Sequence, residues 1–210
     1  MTNGPAAAEV ATTKPIGVAI LGGSFNPVTN AHLAIAHHVL DQVESIREVW
    51  LMPTYMHRFG KHHDYLAQRI AMIKAVETPA IRYCGFEVEH QLGDGTFATL
   101  TQMLAAPQYR GRYEFSFIVG ADCVLEFDQR WRQPQALAAL VRFLIVPRPG
   151  VDLSEYRGFL AHSPHRVLTG FTPLTVSSSQ VRACLKRGES IADMVPSAVA
   201  RLLTAPTAAE

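Results

Sequence analysis

Two short runs near opposite ends of the chain hold the residues best suited to gripping a phosphate. The first is Gly22-Gly23-Ser24-Phe25-Asn26-Pro27-Val28-Thr29-Asn30-Ala31-His32, directly after the apolar run Ile16 to Leu21. Paired glycines permit φ > 0 and let a ligand approach the backbone closely. If a helix starts where this run ends, the N–H groups of the loop and the first turn face that ligand, and the helix dipole favours an anion there. Thr29 and His32 share one face of such a turn, so a hydroxyl and an imidazole would converge on one phosphate. The same residues also describe a plain strand–turn–helix connection in which Thr29 or Asn30 caps and His32 is incidental. Spacing alone leaves the two readings level. The second run, Val176-Ser177-Ser178-Ser179-Gln180-Val181-Arg182, follows a proline-bearing turn. Hydroxyls at a helix start cap its free N–H groups, with Arg182 just inside. Bare physics reads this as a serine-rich cap and a surface arginine somewhat ahead of an anion site.

The elements that would position these runs follow from hydrophobic patterning. Ile16 to Leu21, Val49 to Met52, Phe115 to Val119 and Phe143 to Val146 read as strands buried on both faces, with Ile81 to Phe86 and Arg166 to Leu168 as weaker candidates. Helical patterns fall at Ala31–Leu40, Tyr65–Val76, Thr99–Leu104, Gln135–Val141 and Ser179–Lys186. Alternating strands and helices predict a doubly wound parallel α/β sheet, whose ligands bind beyond the carboxyl ends of the strands. Both runs follow strands, as that rule requires.

Composition narrows the field. With 210 residues, 48% hydrophobic and 18% charged, the chain can bury a large core unaided. A net charge of +1 points neither to nucleic acid nor to an anionic membrane, so any anion site is built locally. No apolar stretch approaches the roughly 20 residues that span a bilayer. Cys84, Cys123 and Cys184 are odd in number and scattered, which suits a reduced, cytoplasmic setting. Residues 1–14 read as a disordered tail and 15–210 as one domain. The first loop is neither GxGxxG nor a P-loop, so dinucleotide dehydrogenases and kinases fit poorly.

GGSFNPVTNAH resembles the signature of the adenylyltransferase superfamily, a GxFxP turn followed by [H/T]xGH, and its wording is similar to the nicotinate/nicotinamide-mononucleotide adenylyltransferases. Thr29 takes the first motif position, Ala31 replaces the usual glycine, and His32 is the terminal histidine. VSSSQVR resembles the second signature, ISSTxxR. The two in this order assign the family. The resemblance spans Ile16 to Leu203 and implies a Rossmann-like sheet with a C-terminal helical portion. It implies ATP over Gly22, Gly23, Ser24, Phe25, Asn26, His32, Gly120, Asp122, Ser177, Ser178, Ser179 and Arg182, with Thr29, His32 and Arg182 as catalytic residues. Mg²⁺ would arrive on the ATP phosphates without a dedicated protein cage.

For the mononucleotide, the resemblance implies Lys61, Thr96, Phe97, Asp122, Trp131 and Arg148. Gly95–Leu100 resembles the family's SYTxxTL, which cradles the pyridine. Gly120-Ala121-Asp122 matches its GAD, Trp131 an aromatic that stacks on the ring, and Pro147–Gly150 its xRPG turn. Arg69 occupies the position of a family arginine, with an intrahelix ion pair as its plain alternative. The segment holding His57, Lys61, His62 and His63 reads equally as a solvated loop. No cation in Thr96–Leu100 or beside Trp131 is obviously aimed at a carboxylate, so both pyridines are expected to serve. Alternatives are another phosphorylated acceptor, CTP as donor, or a non-catalytic nucleotide-binding domain. Oligomeric state is left open.

Overall fold

A computed structural model describes residues 14–55 and 65–204. Six strands, β1 (Ile16–Gly23), β2 (Glu48–Pro53), β3 (Ile81–Tyr83), β4 (Tyr113–Gly120), β5 (Arg142–Val146) and β6 (Arg166–Val167), form one sheet in the order β3-β2-β1-β4-β5-β6. Every pairing is parallel. The helices are α1 (Asn30–Gln42), α2 (Leu66–Lys74), α3 (Phe86–Glu89), α4 (Thr96–Ala105), α5 (Ala121–Leu125), α6 (Phe127–Arg130), α7 (Pro134–Leu140), α8 (Ser178–Arg187) and α9 (Ser197–Thr204).

Side-chain alternation along the strands builds two cores. Ala19, Leu21, Val49 and Leu51 face α1, α2, α8 and α9 through Ile35, Ile73, Val181 and Val199. Val18, Ile20, Trp50 and Met52 face the other layer through Leu100, Val124, Phe127 and Leu137. A parallel sheet covered on both faces needs such near-continuous apolar strands.

The winding reverses between β1 and β4, which pair along Ile16↔Tyr113 to Leu21↔Ile118. Their carboxyl ends therefore open side by side, and a doubly wound sheet binds ligands in that crevice. The weak strand expected over Ile81–Phe86 stops at Tyr83 because Phe86 begins α3. Helices α3, α5 and α6 were not read from sequence; with four or five residues each, they are too short to show a helical period.

Candidate active site

β1 continues through Gly22 and Gly23, which pair with Met52 and Pro53. Neither glycine takes the left-handed backbone expected of it. A Cβ on Gly22 would stand 3.1 Å from the Phe117 ring, and one on Gly23 3.4 Å from the Phe25 ring, so glycine here makes room for aromatics. The left-handed residue is Phe25 itself, at φ 48°, a conformation costing a non-glycine residue on the order of 1 kcal/mol. Its side chain is only 1% exposed and lies 5.1 Å from the His32 ring, centroid to centroid. Burial holds the strained turn, and Phe25, expected among the ATP contacts, supports the histidine from below.

Thr29 caps α1 and is buried. Its backbone N–H donates to His32 Nδ1 at 2.9 Å, and its Oγ1 lies 2.9 Å from the same nitrogen. An Nδ1 that accepts an N–H carries no proton, so the neutral ring holds its proton on Nε2. Burial, reinforced by the Arg148 charge, lowers the His32 pKa to about 4. The imidazole is therefore neutral at pH 7, oriented, and ready to donate from Nε2. Thr29, expected to reach a phosphate itself, is instead committed to holding His32.

The C-terminal portion grips this loop from above. Ser177 caps α8: its Oγ accepts from the Gln180 N–H at 3.3 Å, while Gln180 Oε1 accepts from the Ser177 N–H at 2.7 Å. Ser178 Oγ donates to the Pro27 carbonyl at 2.8 Å. Arg182 Nη1 donates to the Asn26 carbonyl at 2.6 Å, and Nη2 to Ser179 Oγ at 3.1 Å. The α1 end is held as well, since Asn30 N–H donates to the Met194 carbonyl and Asn30 Nδ2 to that of Asp193, each at 3.0 Å. Arg182 thus reaches the first loop while its planar fork retains further donors for an anion. Arg182→Lys should raise the KM for ATP about tenfold or more with a smaller fall in kcat, because an ammonium cannot replace a fork-like grip. Steady-state titration with ATP checks this.

Arg69 supports the loop from beneath, and sequence reading undervalued it. Its side chain is fully buried, with Nη1 donating to the Ser24 carbonyl at 2.8 Å and Nη2 to the Thr54 carbonyl at 3.0 Å. One guanidinium thereby ties the loops after β1 and β2 together. Burial lowers its pKa, partly offset by the Glu87 charge. Glu87 Oε1 accepts the Tyr55 N–H at 3.0 Å, yet burial outweighs that bond and the Arg69 charge and lifts its pKa to about 7. A carboxyl raised from 4.5 gives stability that is fully present below the unfolded pKa and lost as pH climbs through 7. Glu87→Gln should therefore gain stability relative to wild type as pH rises from about 4.5 to above 7, as urea unfolding across that range would measure.

Across the crevice, β4 ends at Gly120, and Asp122 stands in the first turn of α5. Its Oδ1 pairs with Arg148 Nε at 3.4 Å. A Cβ on Gly120 would overlap the Asp122 carboxylate and lie 2.8 Å from Arg148 Nε, so the glycine makes room for that pair. Arg148 is close enough for its charge to act on His32, which brings three expected site residues to one crevice.

Beyond Asp122, a cavity of about 280 Å³ is lined by Gly95, Thr96, Cys123, Trp131, Arg130 and Arg132 among others. The Trp131 ring is fixed by Phe127 at 5.1 Å and by Phe117 at 6.2 Å, edge-on. Phe97, expected to flank the pyridine, is partly buried and packs against the same core cluster as Trp131. Two arginines that flank Trp131 in sequence, Arg130 and Arg132, also line this cavity. Lys61, His57, His62 and His63 lie outside the described residues. A larger cavity of about 360 Å³, lined by Lys14, Glu44, Arg47 and Glu114, sits at the opposite, amino end of the strands, away from the crevice.

Residues 20–184 match the cytidylyltransferase-like family. A protein of Anaeromyxobacter sp. (strain K), called "Probable nicotinate-nucleotide adenylyltransferase", is 35% identical over an alignment of 191 residues that covers 88% of this chain and 91% of its own. A Myxococcus xanthus protein of the same name is 33% identical, covering 86% of this chain and 88% of its own. The chain belongs to the cytidylyltransferase-like family and, within it, to the nicotinate-nucleotide adenylyltransferases. The fold is shared with the Plasmodium falciparum nicotinic acid mononucleotide adenylyltransferase complexed with NaAD, at a TM-score of 0.71 and 20% identity over 89% of this chain and 94% of that one.

Proposed function

We propose that the protein transfers the adenylyl group of ATP to a pyridine mononucleotide, nicotinate or nicotinamide, giving the dinucleotide and pyrophosphate for NAD biosynthesis. The observation that carries this is His32, held neutral with its proton on Nε2 at the topological switch point, with Arg182 joined to the same loop. The acceptor's phosphate is already an anion at pH 7, so no general base is needed. It attacks the α-phosphorus of ATP in line, an oxygen–phosphorus bond forms, and the bond to the β-phosphate oxygen breaks. The protein's task is to bring two anions together and to stabilise charge spreading over the phosphoryl oxygens. His32 Nε2–H and loop N–H groups serve the α-phosphate, and Arg182 serves the departing pyrophosphate. Asp122 and Arg148 flank the crevice, Trp131 and Thr96 bound the pyridine cavity, and Lys61 is proposed to approach the phosphates.

Among the described residues no three His, Cys, Asp or Glu side chains converge as a metal group. Mg²⁺ is proposed to enter with the substrate as MgATP, because the ion dehydrates reluctantly and is readily held by phosphates and water. The cysteines, odd in number and scattered along the sequence, support a cytoplasmic setting, and among the described residues no helix is long and apolar enough to cross a membrane.

Pyrophosphate release from ATP or CTP, with nicotinate mononucleotide, nicotinamide mononucleotide, phosphopantetheine and glycerol phosphate in turn, tests the proposal. The family description keeps one alternative alive, a cytidylyl donor. Turnover confined to CTP or to a non-pyridine acceptor would replace the reading proposed here.

A further inference from the structure

We infer that Arg132 is a specificity-determining residue, pairing with the carboxylate that distinguishes nicotinate from nicotinamide mononucleotide. The inference rests on the proposed pyridine acceptor and deepens it. Two guanidiniums line the Trp131 cavity, and their commitments differ. Arg130, at the end of α6, is engaged at 2.9 Å with Glu126, the residue that caps the start of that helix, which also neutralises the carboxylate on that side. Arg132 has only long contacts: 3.3 Å to the Asp94 carbonyl and 3.6 Å to its carboxylate, in a pair whose side chains are 71% and 83% exposed. An ion pair so exposed contributes little and yields readily to a better partner.

The side chain is nevertheless placed. Its stem crosses Gly95, whose Cβ, if it had one, would lie 3.7 Å from Arg132 Cδ. Gly95 has φ +94°, a backbone other residues rarely adopt, so the turn under this contact, at the start of α4, is set by the glycine. Arg132 directly follows the anchored Trp131. A ring lying against the indole would therefore carry its substituent within reach of the guanidinium. A carboxylate there gains a charge-assisted, two-pronged hydrogen bond, whereas a neutral carboxamide offers a single acceptor and an NH₂ that meets another donor. The Gly95 cap supplies no side chain to the first N–H groups of α4, which adds a favourable field for negative charge.

The test compares kcat/KM for the two pyridine mononucleotides at saturating ATP in the wild type, Arg132→Gln and Arg132→Lys. The wild type should favour nicotinate mononucleotide. Arg132→Gln should cut that preference about 10- to 100-fold, the range for losing a hydrogen bond to a charged group. Arg132→Lys should restore part of the preference, and the KM for ATP should stay within about twofold throughout, since the phosphate loop is untouched. Because Arg132 is exposed, thermal unfolding of the variants should match wild type. An unchanged preference, or an equal loss with both acceptors, would overturn the assignment while leaving the transferase reading intact. No turnover of either pyridine by the wild type would overturn both.

Discussion

His32→Ala should lower kcat by about 10²–10³ while the apparent affinity for ATP changes only a few fold. A preorganised donor aimed at charge that develops during transfer acts on the transition state far more than on the bound ground state. The geometry makes this donor unusually well defined. Thr29 N–H occupies Nδ1, so the imidazole can neither swap tautomer nor accept a proton there without losing a 2.9 Å hydrogen bond. With the pKa lowered to about 4 by burial and then by Arg148, the ring stays neutral from that value upward. The pH profile of kcat/KM, which reports the free enzyme, should therefore show no inflection near 6.5 that His32→Ala removes. A variant that turns over near the wild-type rate would take His32 out of the chemistry, and an inflection near 6.5 that vanishes with it would refute the neutral donor.

Arg69→Met should be the most damaging substitution for stability, costing about 2–5 kcal/mol, because it removes a fully buried guanidinium's hydrogen bonds to the Ser24 and Thr54 carbonyls and the cation beside Glu87. At this chain length each kcal/mol lowers the unfolding midpoint by about 2–4 °C, so a fall on the order of 10 °C is expected. Arg69→Lys should recover less than half, since one ammonium cannot span the Ser24 and Thr54 carbonyls as a planar fork does. In whatever folded fraction remains, a loosened Ser24 should raise the KM for ATP more than it lowers kcat. An unfolding midpoint within about 2 °C of wild type would mean that the buried guanidinium is dispensable.

The fold was legible wherever a strand was long and apolar. The strands expected from Ile16, Val49, Phe115 and Phe143 all formed, and the alternation with helices implied the parallel sheet and its crevice. What escaped was decided by three-dimensional packing. Gly22 and Gly23 advertised backbone freedom, but their smallness serves Phe117 and Phe25, whose positions only the folded sheet defines. Thr29 and His32 were visible as a pair, yet not which of them faces the ligand, because the tautomer follows from a backbone N–H. Arg69 stood out only by its likeness to a family arginine, with an intrahelix ion pair as the plain alternative. Its partners are the carbonyls of Ser24 and Thr54, and a carbonyl leaves no mark in a residue alphabet. Arg132 was overlooked for a related reason: the cavity exists only once the start of α4 is set against Trp131.

The clasp between the first loop and the α8 region would, on the function proposed here, join nucleotide occupancy to the integrity of α8 and α9. Pro27, Asn26 and Asn30 are held by Ser178, Arg182, Asp193 and Met194, so α8 and the segment after it cannot detach without releasing the first loop. By mass action, ATP at about a hundred times its dissociation constant adds roughly 2.7 kcal/mol to any opening that destroys its site. Helix α9, packed through Val199 and far along the chain from the first loop, shares that protection without having to touch the nucleotide. A growing polypeptide cannot complete this clasp until it has been synthesised through Met194, and on the function proposed here a full nucleotide pool would then act as a ratchet that keeps α8 docked.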